Sequence, residues 1–158
     1  MAETGFIQKE KLNDFIKELS KDAVVYAPCL EGDTVIFKAF DAEKTVCLDR
    51  PANNPPKLAI FPQSDTLFNF TYIKDPDDPK KMSVELKANT DFPKAVIFGS
   101  RPCDAKGFTI YDRVYIDTST PDPYYKGRRE KTTIVSLCCN APSPGCFCVA
   151  VGGGPANN

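Results

Sequence analysis

Cysteine is the residue type in this sequence that offers the widest chemistry. The 158-residue chain contains seven cysteines and no histidine, and five of the cysteines lie between residues 103 and 148. Without an imidazole the chain cannot form a Ser-His-Asp or Cys-His nucleophile pair, an HExxH zinc site or a histidine-ligated haem. Its chemistry must therefore rest on thiolates, carboxylates, amines, phenols or a bound cofactor.

Charge and hydropathy narrow the class of protein. The chain has 20 Lys and Arg against 21 Asp and Glu, a formal net charge of −1, so no general field attracts nucleic acid. No apolar run approaches the ~18–20 residues of a membrane span, and the first residues, MAETGFIQKEK, contain no long apolar stretch. We therefore expect a cytoplasmic protein, in which clustered cysteines indicate metal or redox chemistry more often than disulfides. The isolated Cys29 and Cys47 are predicted to be buried packing residues.

Three of the clustered cysteines share a bent loop near the C-terminus. Cys139, Cys146 and Cys148 form a C-x6-C-x-C run, and the prolines and glycine within it favour a path that can wrap thiolates around a metal. Cys103 can supply a fourth sulfur if its strand lies beside the strand that precedes Cys139. Four thiolates suit either a tetrahedral zinc or an iron–sulfur cluster, and the spacing does not separate the two. Side-chain alternation also leaves open whether Cys138 or Cys139 points inward.

Two further features of this region support bound anionic sulfur. Cys103 is predicted to begin a helix, where free backbone N–H groups and the helix dipole favour a thiolate. Glycines at position 145 and at 152–154 would allow backbone amides to approach a cluster and donate hydrogen bonds to its sulfurs.

The elements that position these cysteines form a parallel unit. Apolar strands are predicted at 94–99 and 132–137, with a turn and helix at 100–110 between them, which is typical of a right-handed βαβ crossover. Ligands in such sheets bind at the C-terminal ends of the strands. The first strand runs towards Cys103 and the second runs into Cys138 and Cys139.

The N-terminal part is predicted to contain a helix and a hairpin. Apolar residues recur on one helical face at Leu12, Phe15, Ile16 and Leu19, so this helix should close over a sheet. The runs 23–27 and 34–39 flank Gly32 and predict a hairpin. Downstream, the predicted elements are a third strand at 45–48, an apolar strand that Pro62 ends, a brief helix capped by Ser64 or Asp65 and running to Phe70, and a polar loop at 74–81.

These elements predict an α/β fold with an α+β N-terminal part. Its mixed sheet contains a parallel βαβ unit that carries the cysteine site at the strand C-terminal ends. The length suits a single domain over 1–158, with a helix and hairpin-rich part at 1–90 and the βαβ part with the cysteine cluster at 91–155.

Other candidate sites are weaker. The triple glycine at 152–154 does not have the spacing of a nucleotide loop. The basic residues beside Tyr124 and Tyr125 are more typical of a solvated face than of an anion site; they are Lys126, Arg128, Arg129 and Lys131. Asp112 is explained by an ordinary surface ion pair, so no catalytic residue is assigned.

Several segments resemble one known family. They are KAVIFGSRPCDAKGFTIYDRVYI, DPYYKGRREKTTIVSLCC, CFCVAVGGGP and, upstream, PPKLAIFPQSDTLFNF. The sequence is similar to the cytoplasmic 4Fe-4S family that includes the sulfhydrogenase beta subunit and the corresponding subunit of anaerobic sulfite reductase. The similarity is strong over 53–155 and loose before it, and Asp65 stands where the family usually has Glu.

The resemblance implies an electron-transfer subunit that relays electrons through a 4Fe-4S cluster between protein subunits of a larger redox complex. By motif, the ligands would be Cys103, Cys139, Cys146 and Cys148, while Cys138 occupies a position where the family usually lacks cysteine. Family members continue into a ferredoxin-like half with two C-x2-C-x2-C-x3-C-P runs, which this sequence does not contain. We therefore expect an N-terminal domain of the family.

The resulting hypothesis is a non-catalytic, iron–sulfur electron-transfer subunit or domain of an anaerobic oxidoreductase, with one 4Fe-4S cluster. A different class of function is a zinc-bound or metal-free scaffold domain that docks redox partner subunits. A third is a thiol switch between Cys146 and Cys148, although a disulfide across one intervening residue would be strained.

Overall fold

The structure, a computed structural model, describes residues 5–78 and 80–156. The strands are β1 (Val24–Glu31), β2 (Thr34–Ala39), β3 (Phe68–Lys74), β4 (Met82–Ala88), β5 (Ala95–Ser100) and β6 (Thr132–Ser136). The helices are α1 (Leu12–Leu19), α2 (Pro102–Tyr115) and α3 (Pro123–Glu130). The ends of the predicted 1–158 domain and Pro79 of the predicted 74–81 loop lie outside the described residues.

The main sheet joins both parts of the chain. Its four strands lie in the order β2-β1-β5-β6; β1 and β2 form an antiparallel hairpin, and β1, β5 and β6 run parallel. The predicted α/β class, mixed sheet and parallel βαβ unit are therefore confirmed. The crossover between β5 and β6 contains two helices, α2 and α3, rather than the one predicted.

The first helix packs on this sheet as its periodicity predicts. Within α1 only Ile16 is fully buried, while the ring of Phe15 meets that of Phe98 from β5 edge-on at 6.2 Å between centroids. The hydrophobic stripe thus covers one face of the sheet near its centre.

The core lies on the other side, between the sheet and the crossover helices. Phe37 and Ile97 from the sheet meet Phe108 of α2 and Tyr125 of α3, with Ile60 between them. The phenol of Tyr125 donates to Asp112 Oδ1 at 2.7 Å, and burial with this carboxylate raises the pKa of the tyrosine. This core fixes α2, the helix that begins beside Cys103.

The basic residues of α3 bind within the protein. Arg129 pairs with Asp112 at 3.1 Å, which makes the predicted surface ion pair a half-buried one. Arg128 pairs with Asp65 at 2.6 Å and lies 4.1 Å above the ring of Phe92. These contacts hold the crossover against its neighbours, so Arg128 and Arg129 are partly buried within the protein, whereas Lys126 stays on the solvated face that was predicted.

Two predicted elements of the middle segment are wrong. The apolar stretch before Pro62 is a 3-10 helix at Pro56–Ala59, because consecutive prolines start a turn that cannot pair in a ladder. The predicted helix that reaches Phe70 is instead the start of β3, which pairs antiparallel with β4 in a separate sheet. The apolar and polar residues of both strands alternate with a period of two, and this cross-strand pairing outweighs the capping signal at Ser64.

The predicted third strand at 45–48 is also wrong in extent. Only an isolated antiparallel bridge joins Val46 to Cys29 of β1. Cys29 is fully buried, as predicted, and burial raises the pKa of its thiol. Cys47 is half-buried, so the expectation of full burial is not met there. Within the described residues, no helix has both the length and the apolar character to cross a membrane.

Gly99 lies next to the last residue of β5, where the strand becomes irregular just before the segment that contains Cys103. It has a φ of +77° and is the extra residue where the register between β5 and β6 shifts, as in a bulge with a left-handed glycine. A Cβ there would also meet Leu48 Cδ2 at 2.7 Å, although that methyl can move.

We expect Gly99→Ala to lower the free energy of unfolding by about 1–2 kcal/mol, chiefly from left-handed backbone strain. Gly107→Ala in α2 is the matched control, because a Cβ at that position meets nothing within 4 Å; it should stabilise by about 0.5–1 kcal/mol. Urea unfolding followed by circular dichroism measures both. Equal shifts in the same direction would contradict this account of Gly99.

Candidate metal centre

The C-terminal ends of β5 and β6 bring the cysteine-bearing segments together. Leu137 N–H donates to Ser100 O at 2.8 Å, which extends the parallel pairing just beyond the strands. The hydroxyls of Ser100 and Ser136 lie 3.3 Å apart across the same two strands. Cys103 follows the first strand and Cys139 follows the second, so both lie at this edge of the sheet, as predicted.

Cys103 is the second residue of α2, and its surroundings hold the helix start in place. The backbone N–H of Arg101, the N-cap residue, donates to Asp104 Oδ2 at 3.2 Å. The guanidinium of Arg101 donates to Leu48 O at 3.0 Å. This fixed turn places the carboxylate of Asp104 near Cys103.

The structure does not support a free Cys103 thiolate. The pKa of Cys103 is raised, first by partial burial, then by the negative charge of Asp104, with a smaller contribution from the Cys139 thiol. Nearby backbone N–H groups act in the predicted direction and lower the pKa, but they do not outweigh burial. This contribution indicates that the thiols of Cys139 and Cys103 are near neighbours.

Cys139 is held by the last described segment of the chain. Its backbone N–H donates to Pro155 O at 2.9 Å, so the glycine-rich stretch returns beside the end of β6. Cys139 is half-buried, whereas Cys138 is exposed. The choice between these two neighbours, which alternation leaves open, therefore favours Cys139 as the inward residue.

Cys148 begins a 3-10 turn that is fastened to α2. The turn, Cys148–Val151, ends at Gly152 in the left-handed conformation, φ +70°. Lys106 Nζ of α2 donates to the carbonyls of Val151 and Gly152 at 3.0 and 2.8 Å. Gly153 N–H donates to Cys148 O at 2.8 Å, and a Cβ on Gly153 would press on that carbonyl at 3.1 Å. The N–H of Gly153 thus closes the backbone behind Cys148, whereas the predicted role of this glycine is to donate to a cluster sulfur.

Cys146 lies at the exposed outer part of the loop. Ser143 N and Ser143 Oγ each lie 3.2 Å from its sulfur. These hydrogen bonds, and the more distant charge of Arg101, lower the pKa of the Cys146 thiol. The surroundings of Cys146 therefore favour a thiolate, in contrast to those of Cys103.

The residue types fit a thiolate-bound metal centre, but the four thiols do not form a ligand set in this structure. All four predicted ligands are free thiols, which is the donor set of both 4Fe-4S clusters and tetrahedral zinc. Among residues 5–78 and 80–156, no three His, Cys, Asp or Glu side chains lie close enough together to hold a metal ion. Binding would therefore require the cysteine-bearing segments to draw together, with Cys146 leaving its hydrogen bonds to Ser143.

Sequence reasoning missed three residues that shape this region: Arg101, Lys106 and Ser143. The signal for the first two was present, since both flank Cys103 in RPCDAK and lie on or next to the predicted helix. Ser143 lies in the loop between two prolines, and nothing in its spacing identifies it as a partner of Cys146.

Nearly the whole of this chain is similar to part of a sulfhydrogenase subunit. No protein-family model matches the chain, and no solved structure matches it significantly. The chain is 29% identical over 147 residues to Sulfhydrogenase 2 subunit beta of Pyrococcus furiosus. The match covers 92% of this chain and 40% of that protein, so the chain spans well under half the length of this relative. The predicted resemblance to the sulfhydrogenase beta-subunit family is thereby confirmed over almost the whole chain.

Proposed function

We propose that this chain is a non-catalytic electron-transfer subunit or domain of an oxidoreductase complex. In this proposal Cys103, Cys139, Cys146 and Cys148 hold one 4Fe-4S cluster. The observation that carries the proposal is that the two cysteine-bearing stretches, one after β5 and one after β6, meet at the same edge of a parallel sheet. The similarity to a sulfhydrogenase beta subunit supports a role beside other protein subunits.

The residues around the thiols suit a negatively charged centre. Arg101 acts electrostatically on Cys146, and Lys106 is fixed over the turn that contains Cys148. Two cations beside four thiolates offset the repulsion of gathering their negative charges. They also favour the reduced form of a cluster, because nearby charge and hydrogen bonds set its reduction potential.

The protein's part in this proposal is to bind and place the cluster. A bound cluster would supply one-electron transfer without any bond being made to substrate. Backbone N–H groups at the start of α2 would donate hydrogen bonds to the sulfur of Cys103. Cys103 and Cys148 are tied to the same helix, directly and through Lys106, so α2 fixes the relative position of two ligands.

Metal analysis after purification without oxygen tests the proposal. We expect a brown protein with about four irons and about four sulfides per chain, the content of one 4Fe-4S cluster held by thiolates. The spectrum should bleach on reduction, since thiolate-to-iron absorption weakens when the cluster gains an electron. A colourless protein that takes up neither iron nor sulfide on anaerobic reconstitution would overturn the proposal.

The second candidate is a zinc-bound or metal-free scaffold domain that docks redox partner subunits. Its metal-free form is favoured by the raised pKa of Cys103, which disfavours a thiolate ligand there, and by the hydrogen bonds between Ser143 and Cys146. It predicts about one zinc per chain, or no metal, with unchanged folding. The same metal analysis therefore separates the two candidates.

A further inference from the structure

The hairpin of β3 and β4 presents one face that is almost entirely apolar. The register pairs Phe68 with Ala88, Phe70 with Leu86, Tyr72 with Val84 and Lys74 with Met82, all on that face. The six large apolar side chains each expose more than half of their surface, from 53% for Val84 to 67% for Leu86. The opposite face carries polar and charged residues, apart from Ile73; they are Asn69, Thr71, Ser83, Glu85 and Lys87.

This hairpin needs a partner surface. A two-stranded hairpin is at best marginally stable in water, and it usually requires packing on a hydrophobic face. At the base of the hairpin the Tyr124 hydroxyl of α3 donates to Leu67 O at 2.6 Å, while Asn89 N–H continues the pairing of the two strands by donating to the same carbonyl at 3.0 Å. These bonds leave the apolar face uncovered.

The area of the face is what one half of a stable interface requires. With aromatic side chains that bury about 150–250 Å² each, six side chains that are more than half exposed present on the order of 600–800 Å² of apolar surface. That is at or above the roughly 300–600 Å² of the largest patch on a typical monomer. It matches the ~800 Å² that each partner buries in a standard protein interface.

The shape of the face is complementary to itself. Three of the four cross-strand pairs on this face place an aromatic ring of β3 beside a smaller side chain of β4; the fourth is Lys74 with Met82. The rings of β3 therefore form a ridge, and the β4 side chains form a shallower groove beside it. A two-fold axis parallel to the strands would lay β3 of one copy over β4 of the other. Phe70 would then cover Leu86, and Tyr72 would cover Val84, while the reciprocal contacts form in the same interface.

We propose that this hairpin face is a homodimer interface, occupied by the same face of a second copy of this chain. The two hairpins form a small four-stranded sandwich with the strands roughly aligned. Lys74, the only charged residue on the face, lies at its end and stays in solvent. This inference rests on the hairpin alone and does not depend on the proposed electron-transfer function.

Molar mass by light scattering, over about 1–100 μM chain, tests the proposal with a matched pair of variants. Phe70→Thr/Leu86→Thr removes one cross-strand apolar pair but keeps residues that favour strands and pair well. Asn69→Thr/Lys87→Thr makes the same change on the neighbouring pair, on the opposite face. We expect a dimer for the wild-type chain and the control. The first variant should raise the dimer Kd at least about 30-fold, the effect of losing one central hot-spot contact.

A fluorescence readout covers the case in which the first variant fails to fold. The chain contains no tryptophan, so Tyr72→Trp introduces a single reporter on the apolar face and Thr71→Trp a matched one on the polar face. Emission from the first should shift to shorter wavelength as concentration rises, and emission from the second should not. A wild-type monomer at all concentrations, a Phe70→Thr/Leu86→Thr dimer as tight as wild type, or equal behaviour of the two reporters would overturn the proposal.

Discussion

Cys103→Ser is expected to remove most of the iron from anaerobically prepared protein while leaving the fold intact. In the proposed centre Cys103 is the one ligand that comes from outside the C-terminal loop, so its loss leaves sulfurs from a single loop. Serine preserves the size of the side chain, and Cys103 is exposed, so the free energy of unfolding of the metal-free protein should change by less than about 0.5 kcal/mol. Iron analysis and visible absorbance measure the first effect, and circular dichroism the second.

The other proposed ligands should behave alike. Cys139→Ser, Cys146→Ser and Cys148→Ser should each reduce bound iron to a small fraction of the wild-type content. A cluster that loses one thiolate is more open to solvent and to oxidation, which explains a loss larger than one iron.

Cys138→Ser is the matched control. It changes the neighbouring residue of the same segment, but Cys138 is exposed and Cys139 is the residue whose thiol interacts with Cys103. The Cys138 variant should therefore retain full iron. A Cys103 variant with unchanged iron would contradict the proposed ligand set, and a loss confined to Cys138 would move the ligand to that position.

The parallel part of the fold could be predicted because its signals are local and agree. The runs at β5 and β6 are apolar and rich in β-branched residues, and the chain between them begins a helix at a proline. The short helix α3 could not be recognised in the same way, although Asp122 caps it by accepting from Tyr124 N–H and Tyr125 N–H. Its many charges are typical of an exposed segment, but two of them, Arg128 and Arg129, are partly buried in ion pairs with residues distant in sequence.

The second hairpin shows where local reasoning fails. Its strands are fixed by pairing with each other, and each strand alone is short enough to suit several conformations. Residues 64–70 carry a helix-capping signal, but pairing of Phe70 with Leu86 supplies a cross-strand contact that a helix of that length does not offer.

The candidate site could be predicted to the level of segments. Parallel pairing requires the ends of β5 and β6 to meet, which places Cys103 near Cys139. The position of Cys146 could not be predicted, because it depends on hydrogen bonds from Ser143 within a loop of prolines and glycine. The raised pKa of Cys103 could not be predicted for a similar reason, since burial and the Asp104 charge oppose the helix dipole.

Phe108→Ala is expected to destabilise the protein more than any of the other substitutions. Phe108 is 2% exposed and contacts the core formed by Phe37, Ile60, Ile97 and Tyr125. Truncation of a buried phenylalanine costs about 3–5 kcal/mol, a large share of the roughly 5–15 kcal/mol that stabilises a typical domain. For a chain of this length the loss lowers Tm by about 6–20 °C. Thermal and urea unfolding, followed by circular dichroism, measure it.

Ile110→Ala tests whether the effect comes from the core or from the helix itself. Ile110 lies on the same helix, two residues on, but it is 56% exposed, and alanine is the better helix former. Its free energy of unfolding should therefore stay within about 0.5 kcal/mol of wild type. Because Phe108 anchors the helix that begins beside Cys103, the Phe108 variant should also release iron at a lower temperature than the Ile110 variant. If both variants unfold at the same urea concentration, the packing of α2 against the sheet is not what holds Cys103 in place.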